Sequence, residues 1–152
     1  MSGAPLLART LGWAGVLPLL PCVAVIWWEV SPWIETAQIA GGLYSGVILS
    51  FLGGTWWSIA AAAPAAEGRG MLGWVWCAAV IPSLIVVAAG LWWLIRPAEY
   101  EPALVTLAFS LMASPLVDSR LASVGLTPRW WLGLRWPLSL ILGLATLALA
   151  MG

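Results

Sequence analysis

Ile39–Ala63, with the sequence IAGGLYSGVILSFLGGTWWSIAAAA, contains no charged residue and decides the fold of this chain. About 20 apolar residues are needed to cross the roughly 30 Å of hydrocarbon in a bilayer. The segment is therefore long enough to form a membrane-spanning helix. Only 8% of all residues are charged, and the mean hydropathy is +1.00. A chain with so little polar surface is expected to use lipid as its solvent.

Four further apolar segments flank this stretch, so that the predicted spans cover residues 11–30, 39–63, 71–95, 103–121 and 132–151. The fourth is short unless it continues through Asp118 towards Leu121. The connections between spans are too short to hold a soluble domain. We therefore predict an all-α integral membrane protein, a bundle of five transmembrane helices that forms a single domain over residues 1–152.

The arginines predict how the bundle is inserted. Alternation of the loops leaves Arg96 alone on one side of the membrane and places on the other side Arg9, Arg69, Arg120, Arg129 and Arg135. Arginine and lysine are enriched in cytoplasmic loops. The bias predicts a cytoplasmic N-terminus and an outside C-terminus, in a bacterial inner (plasma) membrane.

The 13 tryptophans cluster near the predicted ends of the spans. Indole rings prefer the boundary between headgroups and hydrocarbon, so interfacial anchoring is the simplest interpretation. The alternative is a pocket for a lipid or another small molecule. Its candidate residues are Tyr44, Thr55, Trp56, Trp57 and Trp74.

Few side chains in the sequence can perform chemistry. There is no histidine, and the two cysteines, Cys22 and Cys77, stand alone within spans. Histidine-based haem or zinc ligation and a Ser-His-Asp relay are excluded. No acid lies in the middle of a span, which argues against a proton pump. We expect no enzyme activity, no catalytic residue, no metal and no cofactor.

Asp118 is the acid that needs a partner. It lies at the end of the fourth span, two positions before Arg120, and the chain re-enters the membrane past Arg135. An unpaired charge near hydrocarbon costs several kcal/mol. We therefore predict a structural ion pair of Asp118 with Arg120 or Arg135. The alternative is a site for an anionic lipid headgroup or a phosphate, built from Arg120, Arg129 and Arg135.

A row of small residues runs along the second span at four-residue spacing, formed by Gly42, Gly46, Ser50, Gly54 and Ser58. Such a row allows another helix to approach closely. The partner is either another span of the same chain or a second protein.

Three parts of the sequence resemble a known family. They are Leu11–Pro18 (LGWAGVLP), Tyr44–Trp57 (YSGVILSFLGGTWW), and Asp118–Leu121 followed by Pro128–Leu138 (PRWWLGLRWPL). Together they resemble the domain of unknown function 3429 family, small polytopic membrane proteins of bacteria and mitochondria that include relatives of transmembrane protein 69. The resemblance implies the fold and a membrane location, and no activity.

The chain departs from the pattern of this family at two positions. Many members have histidine where this chain has Trp56, and glycine is usual where it has Ser58. Any metal or proton chemistry of that histidine could not operate in this protein.

Two functions are compatible with these features. The first is a non-catalytic accessory or assembly subunit that packs against a larger membrane complex, respiratory or photosynthetic, because the chain has packing surfaces and lacks reactive groups. The second is a small-molecule or lipid-binding membrane carrier with a tryptophan-lined cleft. The expected partners are membrane lipids and subunits of such a complex, and no nucleic acid.

Overall fold

The computed structural model describes residues 4–63 and 73–152. Over these ranges the chain is helical and forms no strand. Its helices are α1 (Leu6–Ala14), α2 (Leu19–Trp27), α3 (Ile34–Ala62), α4 (Gly73–Ile95), α5 (Glu101–Ser123) and α6 (Trp131–Ala150). With α1 and α2 taken together, five helical segments are long and apolar enough to cross a membrane.

Several predicted boundaries need correction. α3 begins at Ile34 and α5 at Glu101, earlier than predicted, and Glu35 and Glu101 occupy their first turns. Carboxylates are favourable there because the N-terminal end of a helix carries a partial positive charge. α5 has 23 residues and runs through Asp118 to Ser123, so the fourth span is not short. Residues 64–72, with Glu67, Arg69 and the predicted start of the third span, lie outside the described residues.

The first span is broken rather than continuous. It runs from Leu6 to Trp27 instead of 11–30, and tight turns between α1 and α2 replace the regular helix. Leu17 N–H donates to Ala14 and Leu19 N–H to Val16, and Pro18 between them has no N–H, so no neighbouring backbone donor reaches the Gly15 carbonyl. The carbonyl of Gly15 instead accepts a hydrogen bond of 2.6 Å from the Tyr44 hydroxyl. A side chain of α3 thus satisfies a backbone group that the break leaves free.

α3 lies at the centre of the bundle and contacts α2, α4, α5 and α6, while α5 pairs extensively with α6. Its buried face includes Gly41, Ser45, Leu49, Leu52 and Trp56. Its opposite face is apolar and exposed, with Leu43, Val47 and Phe51 each more than 60% accessible. Apolar side chains on the outside are expected for helices surrounded by lipid.

The predicted row of small residues contacts other helices over only part of its length. A Cβ on Gly42 would meet Trp93 and Leu104, and one on Gly46 would meet Val86. These are contacts with α4 and α5 of the same chain. Ser50 is half-buried, and it lies between these contacts and the exposed end of the row.

Gly54 and Ser58 make no close contact with another helix of the described chain, so a contact of these two residues with a second protein stays a prediction. Both are exposed, and a Cβ on Gly54 would have no neighbour within 4 Å. Each four-residue step turns a side chain by about 40° around the helix axis, so the row turns by about 160° from Gly42 to Ser58. Gly53 makes the close contact instead, because a Cβ there would collide with the backbone carbonyl of Ala79 in α4.

We predict that Gly53→Ala lowers the free energy of unfolding by about 1–3 kcal/mol, because the added methyl group must push α3 and α4 apart. The matched control is Gly54→Ala, whose methyl group enters open space. It is expected to leave stability unchanged or to raise it by up to about 1 kcal/mol. Unfolding in detergent micelles followed by circular dichroism measures both. Equal stabilities of the two variants would contradict the helix contact.

Candidate functional site

The carboxylate of Asp118 is the centre of a buried polar site. Asp118 lies in α5 and has no exposed surface. Its Oδ1 accepts hydrogen bonds from the indole N–H groups of Trp56 in α3 and Trp131 in α6, both at 3.0 Å. Its Oδ2 accepts one from Nε of Arg135 in α6 at 2.8 Å. Three helices are therefore joined at one side chain.

Two serines extend this site towards the middle of the bundle. Ser114 Oγ donates to the carbonyl of Leu111 at 2.8 Å. That carbonyl is free because Pro115 has no N–H to offer it. Since the single hydroxyl proton of Ser114 is used there, Ser139 Oγ is the donor in the 3.0 Å bond between the two serines. Nη2 of Arg135 lies 3.5 Å from Ser114 Oγ.

The charges of the site balance. The Arg135 side chain is 11% exposed and that of Asp118 is 0% exposed, so both ions have lost nearly all contact with solvent. A buried ion pair persists when its remaining lone pairs and protons are also satisfied. The two indoles and the arginine provide this for the carboxylate. The result is a neutral pair in which both carboxylate oxygens are hydrogen-bonded, while the guanidinium keeps further donors.

A cavity of about 190 Å³ opens beside this pair. We call it the arginine cavity. Its walls come from α1, α3, α5, α6 and the residue before α6, and include Ala8, Gly12, Thr55, Trp56, Asp118, Trp130, Trp131 and Arg135. Nη1 of Arg135 forms no hydrogen bond with any residue that the structure describes. The cavity therefore combines indole walls with a guanidinium that has donors to spare.

The structure brings together some of the predicted ligand-binding residues and separates others. Thr55, Trp56 and Arg135 line the arginine cavity. Trp57 does not, because it follows Trp56 by about 100° around α3. It packs edge-on against Trp76 with ring centroids 4.7 Å apart. Tyr44 is bonded at the break in the first span instead.

The three arginines of the predicted anion site differ in their surroundings. Arg120 is exposed, and its guanidinium lies 5.9 Å from the ring centroid of Trp74 in α4. Arg129 is exposed in the connection before α6. Of the two predicted partners of Asp118, only Arg135 forms the ion pair. Arg135 lies one helical turn after Trp131 on the same face of α6.

Sequence reasoning missed Ser114, Ser139, Trp130 and Trp131. A usable signal was present for three of them. Ser114 precedes Asp118 by four residues, and Trp131 and Ser139 lie four residues on either side of Arg135. Residues four apart share one face of a helix. The sequence therefore indicated a polar face on α5 and another on α6. It did not indicate that these two faces pack against each other.

A second buried polar contact joins α3 to α6. Ser45 Oγ and Thr146 Oγ1 are 2.7 Å apart, and both are fully buried. Gln38 Nε2 lies 3.5 Å from the carbonyl of Leu149. Elsewhere in residues 4–63 and 73–152, no three Cys, Asp or Glu side chains are close enough to hold a metal ion.

Comparison with known families gives one result. The family described as "Protein of unknown function (DUF3429)" matches residues 4–151. The chain belongs to this family. No curated protein and no solved structure matches it.

The three segments that carry the resemblance to the DUF3429 family meet at the arginine cavity. Gly12 comes from the first segment and Trp56 from the second, while Asp118 and Arg135 come from the third. Residues from all three segments thus border one cavity, although the segments are far apart along the chain.

We predict that Asp118→Asn lowers the free energy of unfolding by about 3–5 kcal/mol, because it leaves the Arg135 guanidinium buried without a counter-charge. Arg135→Gln should have a similar effect. The double variant should lose less free energy of unfolding than the two single variants lose in sum, since it contains no unpaired charge. Unfolding in detergent measures all three.

The matched control for this comparison of single and double variants is Arg120→Gln. It removes an exposed arginine near the same end of α5. It is expected to change stability little and to be additive with Asp118→Asn. Additivity of Asp118→Asn with Arg135→Gln would show that the pair does not hold the helices together.

Proposed function

We propose that the protein is a membrane carrier that binds a lipid or another small amphipathic molecule in the arginine cavity. The observation that carries this proposal is an open space bordered by a buried ion pair. Charged residues in a membrane domain often mark a binding site or a pathway. The indoles of Trp56, Trp130 and Trp131 supply flat apolar walls next to the guanidinium.

The size of the cavity indicates which part of a ligand it accepts. Pockets that enclose a whole drug-sized molecule usually measure roughly 300–1,000 Å³. A volume of about 190 Å³ suits a polar head alone. The apolar remainder of the ligand would lie along the exposed side of α3, where Phe51 borders both the cavity and the lipid.

The hydrogen-bonding groups of the site favour an acceptor as the head. The indole N–H groups of Trp56 and Trp131 and Nε of Arg135 are already bound to Asp118. The remaining N–H groups of the guanidinium are donors only. A carbonyl, ester or similar oxygen meets them without adding charge to a site that is already neutral.

An accessory or assembly role stays a prediction. Its main premise is a row of small residues available to a partner protein. Gly42 and Gly46, the buried members of that row, contact α4 and α5 of the same chain. These two glycines are therefore packed within the chain, and together with Ser50 they also border an open apolar groove of about 510 Å³.

Filling the cavity tests the proposed binding. Ala8→Phe places a ring at the wall formed by α1 and leaves the ion pair unchanged, whereas Ala14→Phe, the matched control, adds the same ring to an exposed position of α1 outside the cavity. Native mass spectrometry of protein released from mild detergent is expected to detect a bound small molecule in the wild type and in Ala14→Phe. Ala8→Phe should lose it. Equal occupancy in all three proteins would refute binding at this site.

We also propose that the end of the bundle with the arginine cavity faces the cytoplasm of a bacterial cell. Arg9, Arg120, Arg129 and Arg135 all belong to this end in the described part of the chain, and Arg96 belongs to the other. The positive-inside rule then places the N-terminus inside and the C-terminus outside.

A C-terminal fusion tests this orientation. Alkaline phosphatase fused after Gly152 is expected to be active. A fluorescent protein fused at the same position is expected to be non-fluorescent, because it would cross the membrane unfolded. The reverse pattern would show that the bundle is inserted the other way.

A further inference from the structure

A second cavity, of about 400 Å³, lies at the opposite end of the bundle. We call it the glutamate cavity. It is bordered by the start of α3 and by the connection between α4 and α5, and its functional groups belong to Ser31, Glu35, Gln38, Trp93 and Tyr100. It is separate from the arginine cavity and shares no residue with it.

The polar groups of the glutamate cavity include unused acceptors. Gln38 is 3% exposed, and its Nε2 lies at hydrogen-bond distance from the Leu149 carbonyl. That contact orients the amide, so Oε1 is its free acceptor, and no described residue donates to it. The Glu35 carboxylate forms no ion pair within the ranges that the structure covers. The amide oxygen of a largely buried glutamine and a carboxylate therefore border the same space.

The aromatic side chains supply a second kind of attraction for a cation. The rings of Trp93 and Tyr100 are 5.9 Å apart at their centroids, are tilted by 32° to each other, and both border the cavity. The face of an aromatic ring carries negative potential and attracts cations. Quaternary ammonium groups are commonly recognised by several such rings.

The excess negative charge at this end of the bundle also favours a cationic ligand. Arg96 is bound to Glu99 at 3.0 Å, which leaves Glu29, Glu35 and Glu101 without a balancing cation in the described structure. The N-terminal end of α3 carries a partial charge of only about +0.5, which is smaller than the full negative charge of Glu35. No arginine borders the cavity. An anion would therefore be repelled here.

We infer that the glutamate cavity binds an organic ammonium group, with Glu35 as the counter-ion, Gln38 as an acceptor, and Trp93 and Tyr100 as the aromatic walls. The group belongs either to a free ammonium compound such as choline or to the headgroup of an aminophospholipid or choline lipid. This site does not depend on the proposed function of the arginine cavity.

Choline chloride is the probe for a free ligand. Its binding to the purified protein in detergent is measured by saturation-transfer NMR at constant ionic strength. Glu35→Gln and Tyr100→Leu are each expected to weaken binding by at least about threefold. The matched control is Glu101→Gln, which removes an equal charge at the same end from a residue that does not border the cavity. It should bind choline like the wild type. The neutral isostere 3,3-dimethylbutan-1-ol should not compete.

Nanodiscs identify a lipid as the source. If the ammonium belongs to a lipid, the wild type should be more heat-stable in phosphatidylcholine than in phosphatidylglycerol nanodiscs, and Glu35→Gln should lose this difference while Glu101→Gln keeps it. Either positive result supports the site. The inference is overturned if neither choline binding nor stabilisation by phosphatidylcholine depends on Glu35. It is also overturned if Glu101→Gln weakens these effects as much as Glu35→Gln does.

Discussion

An ionised carboxylate without solvent contact is unstable unless several donors surround it, and Asp118 is in that position. Two indoles and a guanidinium satisfy it, and they come from α3 and α6. The separation and rotation of α3, α5 and α6 are therefore fixed at one depth in the bundle. The arginine cavity exists because the same side chains that surround the carboxylate also form its walls.

Away from Asp118, polar contacts and small residues hold the helices together. Lipid tails are as apolar as leucine side chains, so burial against another helix gains little hydrophobic free energy in a membrane. Ser45 and Thr146 share a hydrogen bond between α3 and α6. A Cβ on Gly41 would meet Leu149, and one on Gly143 would meet Met112 and the carbonyl of Ala108. Gly143 therefore lets the backbones of α5 and α6 approach closely, and Gly41 leaves room for the Leu149 side chain.

The broken first span gives the bundle an irregular wall. α1 has no buried residue, and its Ala8 and Gly12 border the arginine cavity. Tyr44 holds the break at Gly15 through its hydroxyl. Irregular backbone in a membrane protein is tolerated where protein groups satisfy it. Because α1 is a separate short helix, it can border the site without extending the packing of α2 against α3.

The two ends of the bundle differ in charge as well as in shape. The arginine cavity contains a neutral ion pair with spare donors, whereas the glutamate cavity contains acceptors and aromatic faces. A head rich in acceptors fits the first and a cationic group fits the second. Both sites lie near helix ends, where the polar part of an amphipathic molecule is stable and its apolar part can remain in the bilayer.

The sequence by itself determined the helical class, the number of spans, the family and the need of Asp118 for a cation, because these follow from hydropathy, length and the cost of burying charge. The tertiary structure decided that Arg135 rather than Arg120 is the partner, that Trp56 and Trp131 are the other donors, and that Gly53 rather than Gly54 is the contact. The physical reason is rotation. Neighbouring residues on a helix point about 100° apart, so one position separates a buried donor from a lipid-facing ring. Only the packing of the other helices decides which face is inside.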